Sequence, residues 1–206
     1  MGPDFADDAR VVLDARFAAR EKGIAGSRKV FRSSANGIRA LHRGEWDQAA
    51  VLISEAGTVL ADITIALADH PDILFAGFVS DAAKEYAEAR ITEALFRGEP
   101  VPGFAELGID PVPFLHGLGE AVGEMRRRLL DLLRAGDVEQ AQTNLEAMDR
   151  IVDLLAEMDY PDGMTNGLRR TTDVSRSLVE RSRSDLTATV VQERLREDLG
   201  KLNDLA

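Results

Sequence analysis

Two pairs of glutamates carry the spacing that brings carboxylates together on a helix. Glu85 and Glu88 lie three residues apart in DAAKEYAEARITEALFRG, and Glu120 and Glu124 lie four apart in DPVPFLHGLGEAVGEMRRRLLDLLRAG. Either spacing sets both side chains on one face, one turn apart. If the two faces opposed each other, four carboxylates would converge and repel unless protons or a divalent cation sat among them. Carboxylate oxygens are hard ligands, which suits Mg²⁺ or Mn²⁺. The chemistry such a set supports is metal-assisted hydrolysis of a phosphodiester, the cutting of RNA. The alternative is an ordinary ion-paired helix surface, where glutamate is common.

Two local features favour the site. Gly117, Gly119 and Gly123 interrupt the second helical pattern, and close approach to a neighbouring helix is the usual reason for glycine there. Met125-Arg126-Arg127-Arg128 follows at once, and its guanidinium groups could pair with the acids or receive phosphates. The charge is also uneven. Residues 10–43 hold nine Lys and Arg against two acids, whereas residues 44–165 hold eight against 24, within a chain of net charge −11. A basic surface beside an acidic one is what a metal-dependent nuclease needs. Arg16, Arg20, Arg28, Lys29, Arg32, Arg39, His42 and Arg43, with Arg127, are the expected backbone-holding residues, acting in a salt-dependent way. Aromatics are 5% of the chain, so base stacking is not the main grip and sequence preference should be weak.

Composition closes several other routes. Cysteine is absent, which excludes disulfides, thiolate metal sites and a cysteine nucleophile. His42, His70 and His116 are widely scattered, against a His-rich zinc site. No uninterrupted apolar run approaches the roughly 20 residues that span a bilayer. The stretch MGPDFADDARVV is acidic and has no apolar h-region, unlike a signal peptide. A soluble, cytoplasmic protein with no membrane partner is expected, and 206 residues suit a single domain over 1–206.

The elements that must position these residues all read as helices. Val12, Leu13, Phe17, Ile24, Val30, Phe31, Ile38 and Leu41 predict one long basic helix over 5–43, stopped by Gly44. Gly23, Gly26 and Gly37 weaken it unless they mark close crossings. A second helix runs from about Glu45 to Ala68, and a third follows His70-Pro71 to Phe96. Residues 99–109 form an irregular connection. Asp110-Pro111 opens a fourth helix to Arg134, and Asp137 caps a fifth. The DYPDG stretch at 159–163 is a turn, and Thr165 to Asp204 is helical with a break near Ser182 to Ser184. The sum is an all-α antiparallel bundle of six or seven helices. Trp46 and Tyr86 read as core or interface rather than stacking platforms, and His42 as a polar helix-end residue rather than a catalytic acid.

Four segments, in order, resemble the translin and Trax family over nearly the whole chain. SRKVFRSSANGIRALHRGE is similar to its basic first helix, and DAAKEYAEA to its Q-E-Y/F-V-E-A segment. DPVPFLHGLGEAVGEMRRRLLDLLRAGD resembles its D-x-x-G-E helix, and LRRTTDVSRSLVERSRSDLT its C-terminal helix. The resemblance implies a translin-like fold and one of two activities. Trax-like members coordinate a divalent metal through acidic residues and hydrolyse RNA; translin binds nucleic acid and lacks part of that set. Carried onto this chain, the first acidic pair falls on Glu85 and Glu88, and the aspartate and glutamate of D-x-x-G-E on Glu120 and Glu124. Glu120 departs from the pattern by one methylene, a displacement of roughly an ångström where positioning governs rate. Translin-type members are uncharged at that point, so the resemblance is closer to the Trax-like branch. It also implies a homo-oligomer, an octamer or similar closed shell. The reading is a Mg²⁺- or Mn²⁺-dependent endoribonuclease acting on single-stranded RNA, or on RNA within a closed oligomer. Its rivals are a non-catalytic binder of RNA or single-stranded DNA and a helical interaction scaffold.

Overall fold

A computed structural model describes residues 4–203. Among them the chain is all-α without strands: α1 Asp4–His42, α2 Trp46–Ala66, α3 Pro71–Leu74, α4 Gly77–Arg97, α5 Pro111–Ala135, α6 Val138–Ala156, α7 Asp162–Thr165 and α8 Leu168–Asn203. The expected fold class holds. Eight elements replace the six or seven expected because two single turns, α3 and α7, stand alone.

Helix ends follow local chemistry. Gly44, Gly98 and Gly136 take positive φ of 73°, 70° and 79°, the left-handed conformation that closes a helix at little cost only for glycine. The Asp110 carboxylate accepts from the Val112 N–H at 2.9 Å, and Asp137 accepts from Gln140 N–H at 3.0 Å. Two expectations are corrected. The third helix does not run unbroken from Pro71, because Ala76 is extended (φ −71°, ψ 148°) and α4 restarts at Gly77. The break near Ser182 to Ser184 does not occur. The Ser182 hydroxyl donates back to the Leu178 carbonyl at 2.8 Å, so the serine stays within the helix. The DYPDG stretch leads into the single-turn α7, which begins at its Asp162 and is closed by Asn166 at φ 51° and Gly167 at φ 78°. The end expected at Asp204 lies outside the described residues.

The helices form two compact units, Met1–Gly117 and Leu118–Ala206. In the first, α1 packs on α2 and α4 around Val30, Leu60, Ile63, Leu67 and Val79. The glycines of α1 mark close crossings, the alternative that the sequence left open. A Cβ on Gly26 would lie 2.6 Å from the Ile63 side chain, and one on Gly37 2.6 Å from Ile53. By length and composition α2 is apolar enough to cross a membrane. No run in the sequence met that standard uninterrupted; α2 reaches it because Asp and Glu are sparse among its alanines, valines and isoleucines. Its Ala49, Ile53, Ala56, Leu60 and Ile63 are buried in the first unit.

In the second unit α6 packs on α8, and the later part of α5 joins them. The buried Asn144 amide donates to the Met125 carbonyl at 2.8 Å. Gly119 lies against α8, where an added Cβ would meet Thr171 at 2.3 Å and Ser175 donates to the Gly119 carbonyl at 3.0 Å.

Candidate metal centre

The acidic turn of α4 is built by what α5 lacks. A Cβ on Gly117 would lie 2.8 Å from Ala87 Cβ, 2.8 Å from the Lys84 carbonyl oxygen and 2.9 Å from Glu88 N. Two of those atoms are backbone and cannot turn aside, so only glycine lets α5 rest on the turn that carries the first acid pair. The expected close approach is therefore real at Gly117, and it falls on that turn. Gly123 has only an ordinary contact, 3.9 Å to Leu178, and close packing does not explain it.

Glu85 and Glu88 are each half-buried, and one carboxylate oxygen of each lies within 4.8 Å of the other. Lys84 Nζ stands 3.5 Å from Glu85 Oε1. Two hard oxygen donors this close, partly shielded from water, fit a hard divalent cation such as Mg²⁺ or Mn²⁺. Glu120 and Glu124 are also half-buried, one turn apart on the uninterrupted α5. Glu120 follows Gly117 by three residues and so shares its helix face.

The arginines after Glu124 divide their roles. Arg126 donates to Asp185 at 2.8 Å and to Ser182 at 2.9 Å, which commits it to α8. Arg127 is exposed, and Arg128 is half-buried, with desolvation lowering its affinity for a proton.

The basic first helix is two surfaces rather than one wall. Arg28, Arg32, Arg39 and Arg43 recur at intervals of four, seven and four and point away from the buried Val30, Ser34 and Leu41. Arg39 donates to Asn36 at 2.7 Å, and Arg43 Nε donates to Glu45 at 2.8 Å, which holds that carboxyl below the usual range. Arg28 and Arg32 form no ion pair among the described residues. Lys29 flanks this face, tied to Glu55 at 2.9 Å. Its ammonium and the Ser33 hydroxyl hold the Glu55 carboxyl below its ordinary value. Arg16 and Arg20 sit elsewhere: they continue the heptad line of Gly23, Ser27, Val30 and Ser34, and Arg16 reaches Asp72 at 3.6 Å. His42 is turned inward, half-buried, its ring 5.1 Å from that of Phe96 in an edge-on arrangement.

One cluster escaped the sequence reading. Glu93 is 5% exposed and receives hydrogen bonds from Arg90 and Arg97, the latter at 3.3 Å, while the Arg97 guanidinium lies 5.2 Å from the Trp46 ring centre. The spacing Arg90, Glu93, Arg97 was the available signal, because three and four residues are the helical neighbours. Tyr86 is likewise internal, its ring filling the space left by Gly57, and burial pushes its phenol up. Glu93→Ala strands two cations that are about one-third exposed, and is expected to cost about 3 kcal/mol, the lower end for breaking a buried pair. Urea denaturation with an unchanged m-value would measure it.

This architecture recurs among solved structures. No protein-family model matches the chain. The crystal structure of AfC3PO superposes with a TM-score of 0.84 at 33% identity, covering 91% of this chain and 97% of that one. The complex of AfC3PO with duplex RNA gives 0.84 at 32% identity, with the same coverage of both chains. Apo-NeC3PO has a TM-score of 0.81 at 18% identity, covering 92% of this chain and 98% of its own, which speaks to the fold. A protein of Methanocaldococcus jannaschii, MJ0175, is 26% identical over 187 residues, 90% of this chain and 82% of its own length. The class defined is the all-α C3PO fold. The chain belongs to the translin/Trax family, to which the C3PO proteins belong.

Proposed function

We propose that this protein is a Mg²⁺- or Mn²⁺-dependent endoribonuclease of the Trax-like kind. The observation that carries the reading is the half-buried Glu85–Glu88 pair, with carboxylate oxygens within 4.8 Å, on the turn fitted to Gly117. Glu120 and Glu124 complete the proposed ligand set. A divalent cation there would supply an acidified water and neutralise charge on the scissile phosphate. A carboxylate of the set not engaged with the ion would accept the proton of the attacking water. The water oxygen would bond to phosphorus while the ribose oxygen leaves and takes up the proton held by that carboxylate, so that the phosphodiester becomes a phosphomonoester and a hydroxyl. Arg28, Arg32, Arg39 and Arg43 hold the RNA backbone on the exposed face of α1, with Arg127 as a further contact.

The proposed substrate is single-stranded RNA, and the duplex bound by AfC3PO makes duplex RNA the second one to try. Labelled RNA of both forms is incubated with Mg²⁺ and wild type, Glu120→Ala or Glu124→Ala protein. Cleavage by wild type and loss in both variants is the expected result; equal cleavage by all three removes these residues from the mechanism. A second reading rests on Glu120, whose extra methylene displaces the carboxylate the family usually places there. In that reading the protein binds RNA or single-stranded DNA and leaves it uncut with or without metal. We also propose a homo-oligomer, of octamer size. Exposed apolar side chains support it on each unit separately: Val11, Val12, Leu13 and Phe17 on α1, and Val191, Leu195 and Leu199 on α8. Native mass spectrometry reads the number directly.

A further inference from the structure

Lys84 is a lysine in a chain that otherwise prefers arginine. The sequence has four lysines among 25 basic residues, and Lys22, Lys29 and Lys201 are exposed, whereas Lys84 is half-buried. The side chains of Lys84 and Glu85 are both 23% exposed, against 71% and 70% for the Lys201–Asp198 pair. Solvent therefore screens the Lys84–Glu85 attraction less than it does the surface pairs. Lys84 also precedes Glu88 by four residues, which places it on the acidic face of α4. There it is positioned to offset the repulsion of two carboxylates whose oxygens lie within 4.8 Å. An ammonium on a flexible stem suits this task differently from a guanidinium. It is a compact charge without a rigid fork, so it can let go of one oxygen and swing aside.

We propose that Lys84 is a positioning residue that holds Glu85 beside Glu88 in the metal-free protein and yields the carboxylate to an incoming divalent ion. The inference rests on the metal reading given above. Because Lys84 must release Glu85, and its positive charge stays near the ion, Lys84 weakens metal affinity while keeping the empty acidic turn folded.

The test is calorimetric titration of the full chain with MnCl₂, for wild type, Lys84→Met, Lys84→Gln and Lys84→Arg. The expected result is about tenfold tighter Mn²⁺ binding by the two neutral variants and wild-type or weaker binding by Lys84→Arg. Thermal melting in EDTA should be lower for the neutral variants than for wild type, and Mn²⁺ should raise their melting temperature more. Lys84→Gln keeps side-chain polarity and serves where Lys84→Met does not fold. Neutral variants that bind Mn²⁺ like wild type, or more weakly, overturn the role of Lys84 and leave the metal reading intact. Tighter binding by Lys84→Arg also overturns it. No Mn²⁺ uptake by wild type or any variant overturns the metal reading, and this proposal with it.

Discussion

Glu88→Gln is expected to lower the rate of RNA cleavage about a thousandfold while leaving RNA affinity within a factor of two or so. The substitution keeps the shape of the side chain and the packing of the α4 turn on Gly117, and removes only the charge. An amide is a poorer ligand for a hard divalent cation than a carboxylate, and it cannot accept a proton from water at neutral pH. The arginines proposed to hold RNA lie on α1, with Arg127 on α5, and none of them is altered, so binding should not follow the loss of charge. Single-turnover cleavage at saturating protein, with binding measured separately in Ca²⁺ or EDTA, divides the two quantities. Glu85→Gln should behave in the same direction. Cleavage at the wild-type rate by both variants would remove the acidic turn from the chemistry without bearing on the arginines of α1.

The second large effect concerns the exposed face of α1. Arg28→Glu together with Arg32→Glu reverses two charges that have no ion pair among the described residues. RNA affinity should therefore fall about a hundredfold or more at low salt. The slope of log affinity against log salt should lessen by roughly 0.7 for each phosphate that the variant no longer neutralises. Arg16→Glu with Arg20→Glu is the natural control, because those residues occupy another line of the helix and Arg16 is directed to Asp72. Filter binding across a salt series would show the difference. Equal weakening by both double variants would mean that the whole helix acts as an undifferentiated positive rod. Unchanged affinity in both would take the RNA grip off α1, and an absence of salt-dependent binding by every protein, wild type included, would favour the scaffold reading.

Much of the fold could be read from the sequence because its punctuation is chemical. Gly44, Gly98 and Gly136 sit where only a residue without Cβ adopts positive φ easily, and Asp110 and Asp137 sit where a carboxylate can accept from the first free N–H groups. Such signals act over a few residues, so periodicity and composition expose them. Ala76 carries no such mark: an extended alanine between two helices is dictated by how α3 and α4 pack, and propensity is silent on it. Ser182 misled in the opposite direction: its hydroxyl is tied to the Leu178 carbonyl one turn back, inside the helix, instead of drawing the backbone into a turn.

The geometry of the candidate site was legible to a similar depth. The spacing of Glu85 and Glu88 gave their common face, and the glycine at 117 gave a close crossing. Which turn that glycine meets depends on a residue some thirty positions away in sequence, and no local pattern encodes it. The division of the basic residues was written in their register, since Arg28, Arg32, Arg39 and Arg43 repeat on one line and Arg16 and Arg20 on another. Net charge along the chain conceals that register. Glu93 lay unnoticed for a related reason: its neighbours Arg90 and Arg97 make it resemble a surface ion pair, and only its burial shows otherwise.

The contact of Gly117 with Lys84 and Glu88 sets a distance between two helices by main chain against main chain. Side-chain spacers rotate and soften on warming, whereas a stop of this kind has no internal torsion to loosen. The acidic turn should thus keep its shape up to the temperature at which its unit melts. Heat inactivation would then coincide with the disappearance of helical signal and not run ahead of it, so a thermal profile of turnover would double as a melting curve.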